Sequence, residues 1–179
     1  GSTWSIGSGN VELTSDIILN PSDINAHYLF DSFNSHFNFG GNTITVISST
    51  SPTKENLHRS LITNLDQGNL YNLNLIASDL TINTGPYTDG YQSGILISLS
   101  KTFNSSGNIG PNGTISDIDI TLTDCTLHQP NNGFVLSKFF GKNLPALHHT
   151  LMSNVSLSGS GISDGGFGNQ GIISSDMFH

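Results

Sequence analysis

Apolar residues recur along this chain in two kinds of short segment, each repeated at a long interval. The first kind, which we call a head, is a run of apolar residues led by Gly or Ser. Heads occupy residues 60–64, 94–98, 133–137 and 171–175, and successive heads begin 34, 39 and 38 residues apart. The second kind, which we call a foot, occupies residues 70–75, 115–120 and 152–157, with a shorter relative at 42–46. This near-constant period predicts a repeat architecture in which each unit buries its apolar face against its neighbours.

Each foot alternates apolar residues with Asn, Asp, Ser or Thr, which is the pattern of a strand with one buried and one exposed face. We therefore expect Leu73, Ile118 and Val155 to stack inside the protein. The predicted interior comprises Leu61, Leu73, Leu75, Ile95, Ile97, Ile118, Ile120, Phe134, Leu136, Val155, Leu157 and Ile172. The predicted outer ladder of polar side chains comprises Asn72, Asn74, Asp117, Asp119, Asn154 and Ser156.

The fixed order of head and foot predicts an all-β fold made of stacked coils, a β-solenoid with long loop insertions. An antiparallel sandwich shares the composition and the turn signals, but it does not predict an ordered recurrence of two segment types. Loops rich in Gly, Pro, Asn and Ser are expected outside the stack. They are predicted at residues 51–59, 84–91, 103–113 and 142–150.

Three features resemble the right-handed parallel β-helix proteins, particularly the repeat class found in adhesins and viral surface spikes. They are the heads, residues 113–118 (GTISDI) and residues 39–46 (FGGNTITV). The resemblance covers residues 30–178 and implies a right-handed parallel β-helix. Residues 30–179 are accordingly interpreted as the β-helix repeats of a single domain.

Residues 1–29 are interpreted as a tag remnant, Gly1-Ser2, followed by an N-terminal cap. Residues 4–29 do not follow the repeat, and terminal segments of stacked proteins depart from the consensus to cover an unpaired end. A helical turn is expected within residues 21–36, with Ser22 or Asp23 as its N-cap.

The charge of the chain limits its possible partners. It has five Lys and Arg against 13 Asp and Glu, a net charge of −8, in 179 residues. Binding to a phosphate backbone needs clustered cations, so nucleic acid is not an expected partner. We find no apolar run of about 18 residues, so no membrane span is predicted. A surface of neutral hydrogen-bonding groups suits contact with carbohydrate or protein.

Asp117 and Asp119 are the candidates for catalysis, because strand geometry places both on the same face of one strand about 7 Å apart. Polysaccharide lyases and hydrolases that share the β-helix fold carry carboxylates on such a ladder, for Ca²⁺ binding or for acid and base catalysis. No Lys, Arg or His occupies the matching positions of neighbouring feet. A solvated face that binds a ligand through the six outer-ladder residues is therefore preferred, with Ca²⁺ as a possible but unsupported cofactor.

No histidine or cysteine spacing predicts a zinc site. Cys125 is the single cysteine, so it has no intrachain disulfide partner, and a buried apolar role is expected.

These observations favour a non-enzymatic module of a viral spike, fibre or bacterial adhesin, located outside the cell or on the virion surface. Its expected partner is a glycan or protein receptor on a host surface, and its expected assembly is a homotrimer. One alternative is a polysaccharide-degrading enzyme that uses Asp117 and Asp119. Another is a purely structural assembly domain.

Overall fold

The computed structural model describes residues 10–26, 30–33, 36–58, 60–65, 69–82, 95–99, 114–127 and 151–164. These ranges contain one short helix, α1 (Pro21–Ala26), and a series of strands. The strands are β1 Asn10–Glu12, β2 Ile17–Leu19, β3 Phe30–Phe33, β4 His36–Asn38, β5 Thr43–Ile47, β6 Glu55–Leu57, β7 Ile62–Leu65, β8 Asn69–Ser78, β9 Leu80–Ile82, β10 Ile97–Leu99, β11 Thr114–Thr123, β12 Thr126–Leu127, β13 Leu151–Ser160 and β14 Ser163–Asp164.

The strands form three sheets, and every described strand pair is parallel. The long sheet has seven strands in the order β1-β4-β8-β11-β13, with β5 beside β8 and β2 beside β5. A three-stranded sheet has the order β10-β7-β3, and a four-stranded sheet has the order β14-β12-β9-β6. The predicted all-β class is confirmed in this form, and the antiparallel sandwich is contradicted by the parallel pairing.

The chain visits the three sheets in a repeating order. From β8 in the long sheet it passes to β9 in the four-stranded sheet, then to β10 in the three-stranded sheet, and returns to the long sheet as β11. The same order runs from β3 through β4, β5 and β6 to β7 and β8. From β7 onward, each strand therefore lies beside the strand that preceded it on the same sheet, whereas β4 and β5 lie beside β1 and β2.

The predicted stacking of the feet is confirmed by the register of the long sheet. Ile118 pairs with Leu73 on one side and with Val155 on the other. The buried members of the predicted interior are Leu61, Leu73, Leu75, Ile95, Ile118 and Ile120. Val155 and Leu157, on strand β13, are partly buried and pack against this core. Ile97 lies on β10, whereas Phe134, Leu136 and Ile172 lie outside the described residues.

Two sequence predictions about spacing and loops need correction. Strand β7 pairs with β10 through Ile62 and Ile97, an offset of 35 residues instead of the 34 given by the starts of the heads. The segment 51–59 does not leave the sheets altogether, because Glu55–Leu57 within it forms β6 and pairs with β9. The strand was not predicted because the segment is mostly polar, although its Leu57 is buried. The other three predicted loops lie outside the described residues.

The N-terminal segment, which was expected to cap the repeats, contains two short strands that extend the long sheet. Strand β1 pairs with β4, and β2 pairs with β5, both in parallel. Val11, Ile17 and Leu19 pack against the core from these strands. They therefore supply the first rung of the long sheet, although their sequence does not resemble the feet.

The expected helical turn is present as α1, but its N-cap is Asn20 and not Ser22 or Asp23. Asp23 accepts a hydrogen bond from the backbone N–H of Asn20 at 2.8 Å, and its own N–H donates to the Asn20 carbonyl. Pro21 takes the first helical position, where its missing N–H has no cost. The bond from the Asn20 N–H to the Asp23 carboxylate is one half of a capping box, with Asp in place of Glu.

Helix α1 covers the edge strand of the four-stranded sheet. The side-chain amide of Asn25 donates to the carbonyl of Asn56 at 2.7 Å, and its oxygen accepts from the N–H of His58 at 2.7 Å. Asn25 thus bonds to the backbone of β6 and its flank as a neighbouring strand would. Ile24 fixes the helix by burying its side chain in the core. An edge covered in this way is protected from pairing with another chain.

Candidate functional site

The predicted outer ladder lies where three long strands each contain a residue in the left-handed conformation. Asn72, Asp117 and Asn154 have φ of 60°, 53° and 50° at equivalent positions of β8, β11 and β13. This conformation costs most residues about 1–2 kcal/mol, whereas Asn and Asp adopt it more readily. The pairing of β11 passes over this position, since it runs through residues 114–116 and resumes at 118–123. We call these three residues the first left-handed column.

A second left-handed column follows at a constant distance along each strand. It consists of Asp79, Asp124 and Gly161, with φ of 55°, 50° and 64°. Each lies seven residues after its counterpart in the first column. A Cβ atom at Gly161 would lie 1.9 Å from Oδ1 of Asp124, so both the conformation and the close approach of that carboxylate favour glycine there.

Both left-handed columns have a recognisable sequence pattern, which interrupts the alternation of apolar and polar residues. In each case an apolar residue is followed by a polar residue, then by Asn, Asp or Gly, and then by a second apolar or small buried residue. The clearest examples are Leu70-Tyr71-Asn72-Leu73, Ala77-Ser78-Asp79-Leu80, Ile115-Ser116-Asp117-Ile118 and Leu122-Thr123-Asp124-Cys125. The two buried residues are three apart instead of two, which a regular strand cannot achieve. Asn, Asp or Gly at the third place supplies the required left-handed residue.

The assumption that Asp117 and Asp119 lie on one regular strand face is therefore wrong. Ile115 and Ile118 are both buried, whereas Asp117 between them is exposed. Alternation is regular only from Ile118 onward, where Asp119 points outward between Ile118 and Ile120. Asp117 belongs to the left-handed position, and Asp119 belongs to the strand segment that follows it.

The structure brings the six predicted ligand-binding residues together in two adjacent columns. Asn72, Asp117 and Asn154 form the first left-handed column. Asn74, Asp119 and Ser156 form a neighbouring column in ordinary strand conformation, as register partners in β8, β11 and β13. All six side chains are exposed or half-buried. The sequence therefore placed these residues on one surface, although it did not reveal the conformation that separates the two columns.

Side chains in these columns bond to one another between neighbouring strands. The amide of Asn154 donates to Oδ1 of Asp117 at 2.6 Å, and the hydroxyl of Ser156 donates to Oδ1 of Asp119. On the preceding strand the amide of Asn72 donates to Oδ1 of Asn38 at 2.9 Å. The amide of Asn74 donates to the carbonyl of Gly41 at 2.7 Å. Asp117 and Asp119 on β11 thus each accept a hydrogen bond from β13. The amides of Asn72 and Asn74 on β8 donate in the other direction, to β4 and the residues that follow it.

The outer face between the two left-handed columns is almost uncharged. Its outward positions on β5, β8, β11 and β13 are Thr43, Thr45, Ile47, Asn74, Ile76, Ser78, Asp119, Thr121, Thr123, Ser156, Ser158 and Ser160. Asp119 is the one charged residue among them. Ile76 is 38% exposed near the middle of this face. Such a face presents hydroxyl and amide groups in regular columns.

The four-stranded sheet carries a separate polar network that the sequence did not suggest. Nζ of Lys54 donates to Oγ1 of Thr126 at 2.6 Å, and that hydroxyl is 2.8 Å from Oγ of Ser163. Lys54 is the one Lys or Arg among the described residues. Close to it along the chain, the hydroxyl of Ser51 donates to Asp79 at 2.5 Å. This network ties the segment before β6 to β9, β12 and β14.

Within the described ranges, no group of three or more His, Cys, Asp or Glu side chains is arranged to hold a metal ion. Within the same ranges, no helix has the length and apolar character needed to cross a membrane. Cys125 is buried as predicted, and burial raises the pKa of its thiol above the ordinary value. The thiol is directed toward the carbonyl of Ala77, 3.6 Å away.

Comparison of the chain with protein-family models, with curated proteins and with solved structures finds no match in any of the three.

Proposed function

We propose that this chain is a right-handed parallel β-helix module of a viral spike, fibre or bacterial adhesin. In this proposal it attaches to a glycan or protein receptor without cleaving it. The order in which the chain visits its three sheets supports the helical winding, because each circuit returns in parallel to the neighbouring position of the same sheet. A right-handed winding is favoured since about 98% of parallel crossovers have that hand.

The observation that carries the functional proposal is the exposed and almost uncharged outer face of the long sheet. Neutral amides and hydroxyls on β8, β11 and β13 are held in columns by a stacked core, so their spacing is set before a ligand arrives. Preorganised polar groups lose little conformational entropy when they bind. A receptor-binding surface gains most from this property, because its affinity comes from many modest polar contacts.

The alternative of a polysaccharide-degrading enzyme has less support. Asp117 and Asp119 each accept a hydrogen bond from β13, which is the arrangement of a satisfied surface carboxylate. Acid and base catalysis by paired carboxylates needs two groups placed on opposite sides of the reacting bond. Among the described residues, the one Lys or Arg bonds to Thr126 on a different sheet.

The proposed module acts outside the cell or on a virion surface as a homotrimer. Val155 and Leu157 on β13 are only partly buried, whereas their partners Ile118 and Ile120 are fully buried. Apolar side chains and strand edges of this kind favour association, and closed symmetry protects equivalent edges on every copy. Light scattering at several concentrations tests the assembly. A single species of 19.0 kDa at high concentration would contradict the trimer.

The test of attachment is binding of the purified chain to a glycan array and to candidate host cells, alongside assays for sugar release. We expect binding with no new reducing ends or unsaturated products. Product formation that disappears in Asp117→Asn and Asp119→Asn would favour the enzyme instead. Stable oligomers that bind neither glycans nor cells would indicate a purely structural assembly domain.

A further inference from the structure

Tyr71 stands out among the aromatic residues of the long sheet. Phe37 and Phe39 are buried, and Tyr71 is the one Phe, Tyr or Trp with a described side chain that is not buried. It lies between buried Leu70 and exposed Asn72, so its ring is on the outer surface. Its hydroxyl bonds to no described group. An aromatic ring held partly in solvent presents an apolar face together with a polar tip.

Tyr71 lies directly before the first left-handed column. Its register partners are Asn38 and Ser116, and the latter immediately precedes Asp117. Asn72 and Asn74 follow Tyr71 along β8, and Asp117 and Asp119 occupy the corresponding positions of the neighbouring strand β11. A ring beside planar amide and carboxylate groups matches a sugar residue, which has an apolar C–H face and a rim of hydroxyls. The ring would pack against that face, while carboxylate oxygens accept from hydroxyl groups.

The charge of this surface limits which sugars it can hold. Asp117 and Asp119 contribute two negative charges on β11, the strand that pairs with β8 at Tyr71, and the chain as a whole has a net charge of −8. The described Lys54 lies on the four-stranded sheet and bonds to Thr126. A carboxylate or sulfate on a ligand would therefore meet like charge here, and the repulsion would be strongest at low ionic strength.

We infer that Tyr71, with Asn72, Asn74, Asp117 and Asp119, forms a subsite for an uncharged sugar residue and rejects sialylated, uronic or sulfated glycans. The inference rests on the proposed attachment function and specifies its ligand class. Tyr71 supplies the apolar platform, and the two carboxylates supply both hydroxyl acceptors and the discrimination against anions.

The test uses the full chain and immobilised pairs of oligosaccharides that differ only by a terminal sialic acid or sulfate. We expect at least fivefold tighter binding of the neutral member at low salt, with the ratio falling as salt is added. The double variant Asp117→Asn, Asp119→Asn should lose most of this discrimination. Tyr71→Ala should weaken binding about tenfold or more, and Tyr71→Leu, which retains apolar packing, should do the same if the ring itself is needed. Thr81→Ala, on β9 of the four-stranded sheet and outside the outer face, serves as the control and should bind as the parent does.

The possible failures are distinguishable. Preference for the acidic member, or unchanged binding by a folded Tyr71→Leu variant, would overturn the subsite and leave attachment to glycans standing. Binding to host cells through a protein, with no binding to any oligosaccharide, would overturn the subsite and leave receptor attachment standing. Absence of binding to both glycans and cells would overturn the attachment function itself.

Discussion

Asn154 donates a hydrogen bond across 2.6 Å to the carboxylate of Asp117, and both residues have a left-handed backbone. The bond connects equivalent positions of β13 and β11, which are 37 residues apart in the chain. Asn and Asp thus have two roles at this column. They adopt a conformation that most residues resist, and their side chains join neighbouring strands. The stability of the long sheet should therefore depend on which residue type occupies each left-handed position.

Asp117→Asn should leave the free energy of unfolding unchanged or raise it by up to about 1 kcal/mol, because Asn tolerates positive φ and retains an acceptor for Asn154. Asp117→Val should lower it by about 2 kcal/mol or more, since a β-branched residue is a severe outlier there. Chemical denaturation measures both changes. Thr123→Val, on the same strand in ordinary conformation, is the control and should change stability by less than about 0.5 kcal/mol. Equal effects of Val at both positions would refute the left-handed column.

Leu75→Ala and Leu157→Ala make the same change in one inward column of the long sheet. Leu75 is fully buried, whereas Leu157 on β13 is only partly buried. We expect a loss of about 2–5 kcal/mol at Leu75 and less than half of that at Leu157, because solvent reaches the second site and a smaller cavity forms. Denaturant titration of the two variants gives the comparison. A loss at Leu157 as large as that at Leu75 would mean that further chain covers β13.

Glu55 should make stability depend on pH in the acid range. Its Oε2 accepts hydrogen bonds from the backbone N–H of Ser49 at 2.6 Å and from the Ser49 hydroxyl at 2.9 Å. These bonds hold the pKa of Glu55 below its ordinary value. A lowered pKa in the folded state contributes stability above the unfolded pKa, and this contribution is lost as pH falls through the folded pKa.

Glu55→Gln should therefore lower Tm near neutral pH, and its difference from the parent should shrink as the solution is acidified to about pH 3. Thermal unfolding followed by circular dichroism measures this. Glu12→Gln is the matched control, because Glu12 accepts no hydrogen bond from the described residues. If the difference in Tm between Glu55→Gln and the parent instead grew on acidification, the predicted direction of the pH dependence would be wrong.

Cys125 should not react with Ellman's reagent in the native protein. Its side chain is fully buried, and the same burial raises the pKa of the thiol, so the reactive thiolate is scarce. In denaturant the single cysteine should release one equivalent of chromophore per chain. Rapid reaction under native conditions would mean that the segment between β11 and β12, which contains Cys125, opens readily.

Within the feet, the sequence by itself determined which apolar residues stack and which strands are neighbours. Apolar spacing within the feet was sufficient to align Leu73 with Ile118 and Val155, because burial of a repeated apolar face requires like positions to stack. The same alignment placed Asp119 beside Asn74 and Ser156, so the composition of the outer ladder was also predictable. Both conclusions depend only on the alternation of apolar and polar residues within single strands, which the sequence shows directly.

Only the tertiary structure decided which positions of the strands take a left-handed conformation and which further segments join the sheets. The left-handed φ at Asp117 is permitted by its residue type, but it becomes necessary only because Ile115 and Ile118 must both reach the core. Likewise, β1 joins the long sheet although its sequence does not resemble a foot, because an open parallel strand such as β4 accepts any strand that can satisfy its backbone groups. Hydrogen bonds between backbone groups do not depend on side-chain type, so the apolar periodicity of the sequence could not predict the pairing of β1 with β4.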